Sequence, residues 1–179
     1  MNFHDLYASN KINKDSILFD TNDKNIYNEG IVPEFSFNML PREIKHILTK
    51  LSIQTTKEEA WEYYANIEKW YTWEEDLKNI TLKGNFETGS KGIMELEGMP
   101  PMEYELTHVK VFEEFWDKTA TPFGNILFGH QIIDNNDGSV IIKHSVSLDS
   151  EDIQHLEFLK QVFSDVPDSI FILKKYLES

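Results

Sequence analysis

The sequence has 179 residues, which suits one domain with a sizeable core and is short for two. Its 31 acidic and 17 basic residues give a net charge of −14, so its field repels nucleic-acid phosphates and anionic lipid surfaces. It contains no cysteine, which excludes disulfide bonds, thiolate nucleophiles and cysteine-bound metals. Arg42 is the only arginine, which disfavours tight recognition of a phosphorylated substrate.

Neither a membrane-spanning segment nor a secretion signal is expected. No apolar run reaches the roughly 20 residues that a bilayer-spanning helix requires. The first residues also lack the basic region and apolar stretch of a signal peptide. We therefore expect a cytoplasmic protein without stable membrane insertion and without a nucleic-acid partner.

Residues 1–44 differ in composition from the remainder. They are polar and asparagine-rich, are interrupted by Gly30, Pro33 and Pro41, and have apolar residues only in short patches. We expect a partly ordered N-terminal extension that packs on the surface, because terminal segments usually make few contacts; a functional lid is the alternative. The predicted globular domain spans residues 45–179.

The first predicted elements of this domain are a strand and two short helices. Apolar or threonine residues alternate with polar residues over 47–55, which is typical of a strand with one buried face. Thr56 and Glu59 have the spacing of a capping box, so a helix is predicted to begin there. Residues 74–77 are predicted to form a second, short helix, and the next strand begins at Ile80.

The remaining sequence predicts antiparallel hairpins and a closing helix. Three glycines within residues 84–92 indicate a hairpin or bulge, because glycine tolerates positive φ. Two-residue periodicity predicts further strands at 94–97, 102–108, 111–118, 126–133 and 140–148. Apolar residues then recur every three or four positions, which predicts a long C-terminal amphipathic helix that Pro167 kinks or divides.

These elements predict an α+β fold, with a curved antiparallel sheet of about seven strands wrapped around the long C-terminal helix. The apolar face of the sheet needs a cover, and the terminal helix is the element long enough to supply it. A helix with its side chains is only about 10 Å across, so it cannot fill the hollow of a strongly curved sheet. The arrangement therefore predicts an apolar internal cavity.

Four segments carry a resemblance to a known superfamily. They are residues 53–61, the pair Trp70 and Trp73, the glycine-rich block 84–92 and residues 166–174. Their order and spacing resemble the START-like superfamily, and within it the polyketide cyclase/dehydrase and lipid-transport group (SRPBCC).

The resemblance covers the chain from about residue 46 to 178 and implies a helix-grip fold. Such a fold encloses a pocket for a lipid, sterol, polyketide or other apolar small molecule. It leaves the activity open, because similar proteins include carriers, receptors, co-chaperones and aromatase/cyclase enzymes. Where cyclase relatives use a pocket arginine, this chain has none beyond Arg42.

The candidate ligand-binding residues share the inner faces of these elements or flank the turn between the short helices. They are Trp70, Trp73, Met94, Leu96, Met102, Tyr104, Leu106, His108, Phe128, His130, Ile142, His144, Leu159 and Phe163. Tyr104 is expected to be the polar handle, because it joins an apolar ring to one hydroxyl. Trp70 and Trp73 either cap a ligand at the pocket mouth or anchor the core.

Three of these residues are histidines in phase with apolar strand positions. We expect His108, His130 and His144 to face inward, where a neutral imidazole orients a ligand oxygen or transfers protons near neutral pH. The alternative is a core histidine hydrogen-bonded to its neighbours. No short spacing such as His-x-x-x-His supports a zinc site, so we predict no metal and no cofactor.

Three functions from different classes fit the sequence. The leading prediction is a protein that binds or transports a hydrophobic small molecule in its cavity. The second is a cyclase/dehydrase-like enzyme that uses the pocket histidines, although the sequence identifies no catalytic residue. The third is a co-chaperone-like interaction module, whose acidic surface and apolar hairpin tip at Met99 dock on a partner protein.

Overall fold

The computed structural model of the chain describes residues 12–13, 18–19, 31–32, 44–150 and 152–179. Most of the predicted extension therefore lies outside the described residues, and its boundary and role stay predictions. Three two-residue strands are described there: β1 (Ile12–Asn13), β2 (Leu18–Phe19) and β3 (Ile31–Val32). Strands β1 and β2 pair with each other, and β3 pairs with the main sheet.

Longer strands and helices make up the described part of the domain. The strands are β4 (Ile44–Ile53), β5 (Leu77–Leu82), β6 (Lys91–Leu96), β7 (Met102–Lys110), β8 (Glu114–Thr121), β9 (Gly124–Asp134) and β10 (Val140–Asp149). The α-helices are α1 (Lys57–Ala65), α2 (Trp70–Trp73), α3 (Leu156–Phe163) and α4 (Val166–Leu177). Short 3-10 turns, Ile67–Lys69 and Ile153–His155, precede α2 and α3. Within the described ranges, no helix has the length and apolar character needed to cross a membrane.

The main sheet is antiparallel and has the order β3-β4-β10-β9-β8-β7-β6-β5. The strands from β5 to β10 are neighbours in chain order, as the predicted hairpins require, and β4 pairs with β10. The ladders shift register between Leu77 and Asn79 and between Leu106 and His108. Such bulges bend strands, and the sheet curves around the terminal helices as predicted.

The C-terminal helix covers the sheet in two pieces. Helices α3 and α4 are separated by Ser164 and Asp165, and Pro167 lies in the first turn of α4, where its missing N–H costs no hydrogen bond. Both pieces pack on β4 and β10, and Leu159 and Phe163 are fully buried there. The predicted division of this helix is confirmed.

The second short helix lies earlier than predicted. Helix α2 ends at Trp73, whereas residues 74–77 form a turn and the first position of β5. The indole rings of Trp70 and Trp73 are both buried. Burial of two such large rings favours a helical turn at the tryptophans, where both side chains reach the sheet.

The capping box that begins α1 is present as predicted, and it can be tested. The Thr56 hydroxyl accepts a hydrogen bond from the Glu59 N–H at 3.2 Å, and the Glu59 carboxylate accepts one from the Thr56 N–H at 3.4 Å.

Thr56→Ala removes the first bond, so the free energy of unfolding should fall by about 1 kcal/mol in a urea titration. Thr56→Ser keeps the hydroxyl and should match the wild type. Equal stability of Thr56→Ala and wild type would contradict the capping role.

Candidate functional site

The concave face of the sheet carries a row of rings on neighbouring strands. Phe115 on β8 lies opposite His130 on β9, which lies opposite His144 on β10. The Phe115 and His130 rings stack with their centroids 4.1 Å apart, and the two imidazoles meet edge to face at 4.7 Å. The register thus brings His130 and His144 together inside the protein, and both face inward as predicted.

His144 is held by side chains from two helices. Its Nε2 lies 2.7 Å from the hydroxyl of Tyr64 on α1, and its Nδ1 lies 3.5 Å from the hydroxyl oxygen of Ser169 on α4. Burial lowers the pKa of His144 to about 3 and raises the pKa of Tyr64. Both groups are therefore neutral at pH 7, and the hydrogen bonds of this imidazole are satisfied within the protein.

Asp117 is a buried carboxyl group beside the imidazole pair. The residue lies on β8, is only 4 % exposed, and its Oδ2 is 3.9 Å from Nδ1 of His130. Burial raises the pKa of Asp117 to about 8, because little water remains to stabilise the carboxylate. Burial, with a contribution from His144, lowers the pKa of His130. At pH 7 the pair is therefore mainly a neutral acid beside a neutral base.

Two buried polar atoms on this face have no hydrogen-bond partner in the described part of the chain. They are Oγ1 of Thr119 and Nδ1 of His130. Thr119 follows Asp117 by two positions on β8, so both side chains leave the same side of the strand. Unpaired buried polar atoms are rare in proteins and each costs about 1–3 kcal/mol. They mark this part of the face as a candidate for ligand contact.

Aromatic side chains of the two short helices fill the adjoining part of the hollow. Trp61, Tyr64, Trp70 and Trp73 are all buried. The indole N–H of Trp70 donates to the backbone oxygen of Tyr64 at 2.9 Å, and that of Trp73 donates to the backbone oxygen of Tyr63 at 3.0 Å. These bonds fix both tryptophans as core anchors. The protein's own rings thereby fill this part of the hollow.

The predicted ligand-binding residues fall into three groups by burial. Nine are buried: Trp70, Trp73, Tyr104, Leu106, His130, Ile142, His144, Leu159 and Phe163. Four are half-buried on the sheet: Met94, Leu96, Met102 and Phe128. One, His108, is exposed.

The expectation that His108 faces the interior is wrong. Its side chain is 51 % exposed, and its Nε2 lies 3.1 Å from the carboxylate of Glu114. The register shift between Leu106 and His108 is the reason, because a bulge changes the side on which the following side chains emerge. Val109 packs against the core in place of His108.

Tyr104 is buried as expected, but its hydroxyl has a partner within the protein. It donates to the backbone oxygen of Thr81 on β5 at 2.9 Å. The ring lies over Gly92 on β6, where an added Cβ atom would come within 2.7 Å of it. Tyr104 thus links β7 to β5 at this edge of the sheet, and its hydroxyl already has a partner within the protein.

Asp117, Thr119 and Tyr64 are absent from the predicted site. The sequence does contain a pattern for the first two. Asp117 and Thr119 follow Phe115 at intervals of two positions, so they are predicted to lie on the same face of the strand as that phenylalanine. Tyr64 lies on the apolar stripe of its helix and therefore resembles an ordinary core residue. Its partner His144 is 80 positions away, and no local pattern relates the two.

A narrow pocket adjoins the imidazole pair between α2, the turn that follows it and α4. Its volume is about 130 Å³, and its walls include Trp73, Glu74, Asp76, Asp165 and Ser169. A shallower cleft of about 390 Å³ lies at the end of α1 and the glycine-rich loop. No group of three or more histidine, aspartate or glutamate side chains suited to a metal ion occurs in the described ranges.

Asp117 makes stability depend on pH in a defined direction. Its pKa is about 8 in the folded chain against an ordinary value of 3.8, so the folded state binds the proton more tightly between these limits. Stability is therefore lost as pH rises from 3.8 through 8, by up to about 1.4 kcal/mol per pH unit from this group.

Asp117→Asn removes this loss. The difference in the free energy of unfolding between the variant and the wild type, measured by urea titration, should therefore shift in favour of the variant from pH 5 to pH 8.

Glu103→Gln is the matched control for this comparison. It removes a carboxylate that is 65 % exposed on the same sheet. Its stability should differ from wild type by the same amount at pH 5 and pH 8. If the difference between Asp117→Asn and wild type does not change with pH, Asp117 does not hold its proton in the folded state.

Comparison with known proteins finds similar proteins by structure only. No protein-family model matches the chain, and no curated protein matches its sequence. CalU16 from Micromonospora echinospora superposes with a TM-score of 0.62 at 11% identity, over 82% of this chain and 85% of that one. Ara h 8.0201 superposes with a TM-score of 0.60 at 12% identity, over 75% of this chain and 97% of that one.

A third match is norcoclaurine synthase from Thalictrum flavum, solved in complex with dopamine and hydroxybenzaldehyde. Its TM-score is 0.59 at 10% identity, over 80% of this chain and 94% of that one. At these identities the likeness shows the fold. The chain has a helix-grip fold, as its sequence predicts.

Proposed function

We propose that this protein binds an apolar small molecule that carries at least one polar group, between the concave face of the sheet and the terminal helices. The observation that carries the proposal is the buried set of Asp117, Thr119 and His130. Their side chains share one face, and two of their atoms, Oγ1 of Thr119 and Nδ1 of His130, have no hydrogen-bond partner among the described residues. A ligand that supplies those hydrogen bonds removes the cost of leaving them unpaired.

Apolar side chains surround these polar groups. Leu106 on β7 and Phe128 on β9 lie opposite Asp117 on its two sides, and Ile126 lies opposite Thr119. Leu106 and Ile126 are buried, whereas Phe128 is half-buried and has area left to contact a ligand. Apolar ligand surface buried against such walls contributes about 25 cal/mol per Å². Apolar walls with a few polar groups are typical of small-molecule sites.

Support also comes from the comparison of structures, since norcoclaurine synthase has the same fold and is solved with two aromatic small molecules.

The cytoplasmic location remains a prediction from the sequence. A protein partner at the hairpin tip also remains a prediction; there Met99 is 48 % exposed.

Phe128 offers a direct test of where the ligand binds. Phe128→Ala removes a half-buried ring beside Asp117, so the affinity for the neutral aromatic probe 2-naphthol should fall roughly five- to thirtyfold in isothermal titration. This corresponds to about 1–2 kcal/mol of lost burial. Ile133→Ala is the matched control, because Ile133 lies on the same strand and is 45 % exposed; it should bind as the wild type does.

The same titrations separate two kinds of failure. If 2-naphthol and a panel of fatty acids all fail to bind the wild type, the proposed function is wrong. If they bind but Phe128→Ala binds equally well, the site lies elsewhere. Native mass spectrometry of freshly purified protein gives an independent result, a bound apolar molecule that is released on denaturation.

A second candidate is an acid–base enzyme of the cyclase/dehydrase kind, favoured by the position of Asp117 beside His130. In enolisation, a base removes the proton next to a carbonyl group while an acid donates a proton to the carbonyl oxygen. Nδ1 of His130 is an unpaired base, and Asp117 is a neutral acid at pH 7. The two groups therefore supply the two complementary roles.

Deuterium exchange tests this enzyme. Wild-type protein in D2O should accelerate the loss of the α-proton NMR signals of 2-tetralone, and His130→Gln should abolish the acceleration because it removes the base. His108→Gln changes an exposed histidine and should leave the rate unchanged. Exchange no faster than in buffer alone would contradict the enzyme and leave binding as the function.

A further inference from the structure

Three neighbouring polar groups define what the polar end of a ligand must offer. Asp117, Thr119 and His130 are 4 %, 5 % and 7 % exposed. Oγ1 of Thr119 and Nδ1 of His130 have no partner in the described residues, and Oδ2 of Asp117 is 3.9 Å from that Nδ1, too far for a hydrogen bond. The groups share one face of the sheet, and none of them satisfies another.

When Asp117 is ionised, these groups together accept more hydrogen bonds than they donate. Burial lowers the pKa of His130, and its imidazole hydrogen-bonds the backbone of Phe115. Nδ1 has no partner in the described residues, so in the tautomer that carries its proton on Nε2 the neutral ring presents the lone pair of Nδ1. The Thr119 hydroxyl also accepts, and both oxygens of Asp117 accept once its carboxyl group loses the proton. A group with several N–H donors fits this set better than a carbonyl or a carboxylate does.

The surroundings of the site are acidic. Glu74, Asp76 and Asp165 line the pocket of about 130 Å³ beside the imidazole pair, and the described residues that line it include no lysine or arginine. Burial raises the pKa of Glu74, and the negative charges of Asp165, Asp76 and Asp117 raise it further. These carboxyl groups therefore repel one another, and a positive charge placed among them relieves the repulsion.

An aromatic ring also lies at the wall of the acidic pocket. Trp73 lines the acidic pocket, and its ring lies 5.9 Å from the imidazole of His130. The faces of aromatic rings attract ammonium groups, and the attraction is stronger where water is excluded.

We propose that the ligand is an amine with an apolar body, and that its ammonium group binds to Asp117, His130 and Thr119. The inference rests on the proposed function, because it names the chemical class of ligand for the same site. The positive charge favours the ionised form of Asp117, which releases its proton to solvent when the amine binds. The ammonium N–H groups then donate to the Asp117 carboxylate, to Nδ1 of His130 and to Oγ1 of Thr119, while the apolar body lies against Leu106 and Phe128. A neutral alcohol donates a single hydrogen bond and leaves the other acceptors unpaired.

Three probes of one shape test this inference by isothermal titration at pH 7.5. They are 2-(1-naphthyl)ethylamine, 2-(1-naphthyl)ethanol and 1-naphthylacetate, which carry a positive, a neutral and a negative group on the same ring system. The amine should bind at least tenfold more tightly than the alcohol, and the acid should bind most weakly. The preference should persist at 0.5 M salt, because buried contacts are screened much less than the attraction of a surface charge.

Asp117→Asn should reduce the preference for the amine to threefold or less and retain the binding of the alcohol, which shows that the variant is folded. Glu103→Gln removes one negative charge from a side chain that is 65 % exposed, so it should retain the full preference. Equal binding of amine and alcohol by the wild type, or tighter binding of the acid, would overturn the inference and leave the proposed function intact. Failure of all three probes would count against the proposed function itself.

Discussion

Desolvation of polar side chains on the concave face is the constraint on which the site depends. Asp117, His130 and His144 are at most 7 % exposed, so water cannot stabilise a charge on any of them. Tyr64 satisfies His144 through a bond of 2.7 Å, whereas His130 and Asp117 stand 3.9 Å apart. The same burial therefore leaves one imidazole with its hydrogen bonds satisfied and a second whose Nδ1 has no partner among the described residues.

The unpaired polar atoms lower the free energy of unfolding, and packing in the rest of the core must offset this loss. Each unpaired buried polar atom costs about 1–3 kcal/mol. The tryptophans of the two short helices lie next to these atoms, and Trp70 and Trp73 meet with their ring centroids 5.4 Å apart. Aromatic pairs contribute about 0.5–1.5 kcal/mol each beyond the area they bury. Dense ring packing next to these atoms thus offsets part of the cost of leaving them unpaired.

Local interactions were predictable from the sequence, and long-range register was not. The capping box at Thr56 and the break at Pro167 depend on residues within four positions of each other, so spacing alone reveals them. The position of His108 depends on how β7 pairs with β8, where Leu106 lies opposite Asp117 and His108 lies opposite Trp116. Alternation along β7 continues formally through His108, and only the neighbouring strand shows the shift.

The inward direction of Asp117 has a specific cause on the opposite side of the sheet. Residues 115 and 116 are both aromatic, so the sequence leaves the phase of β8 ambiguous. The ring of Trp116 lies over Gly129 on β9, where an added Cβ atom would come within 2.5 Å of it. That glycine gives the indole room on the convex face, and the indole N–H donates there to Glu114 at 3.2 Å.

Glu114 also contacts His108, at 3.1 Å, so the histidine displaced by the bulge joins the same group on the convex face. Side chains alternate between the two faces along a strand. Because Trp116 lies on the convex face, Asp117 lies on the concave face. Gly129 lies on β9, the strand next to β8. It therefore determines that the Asp117 carboxyl group lies on the concave face.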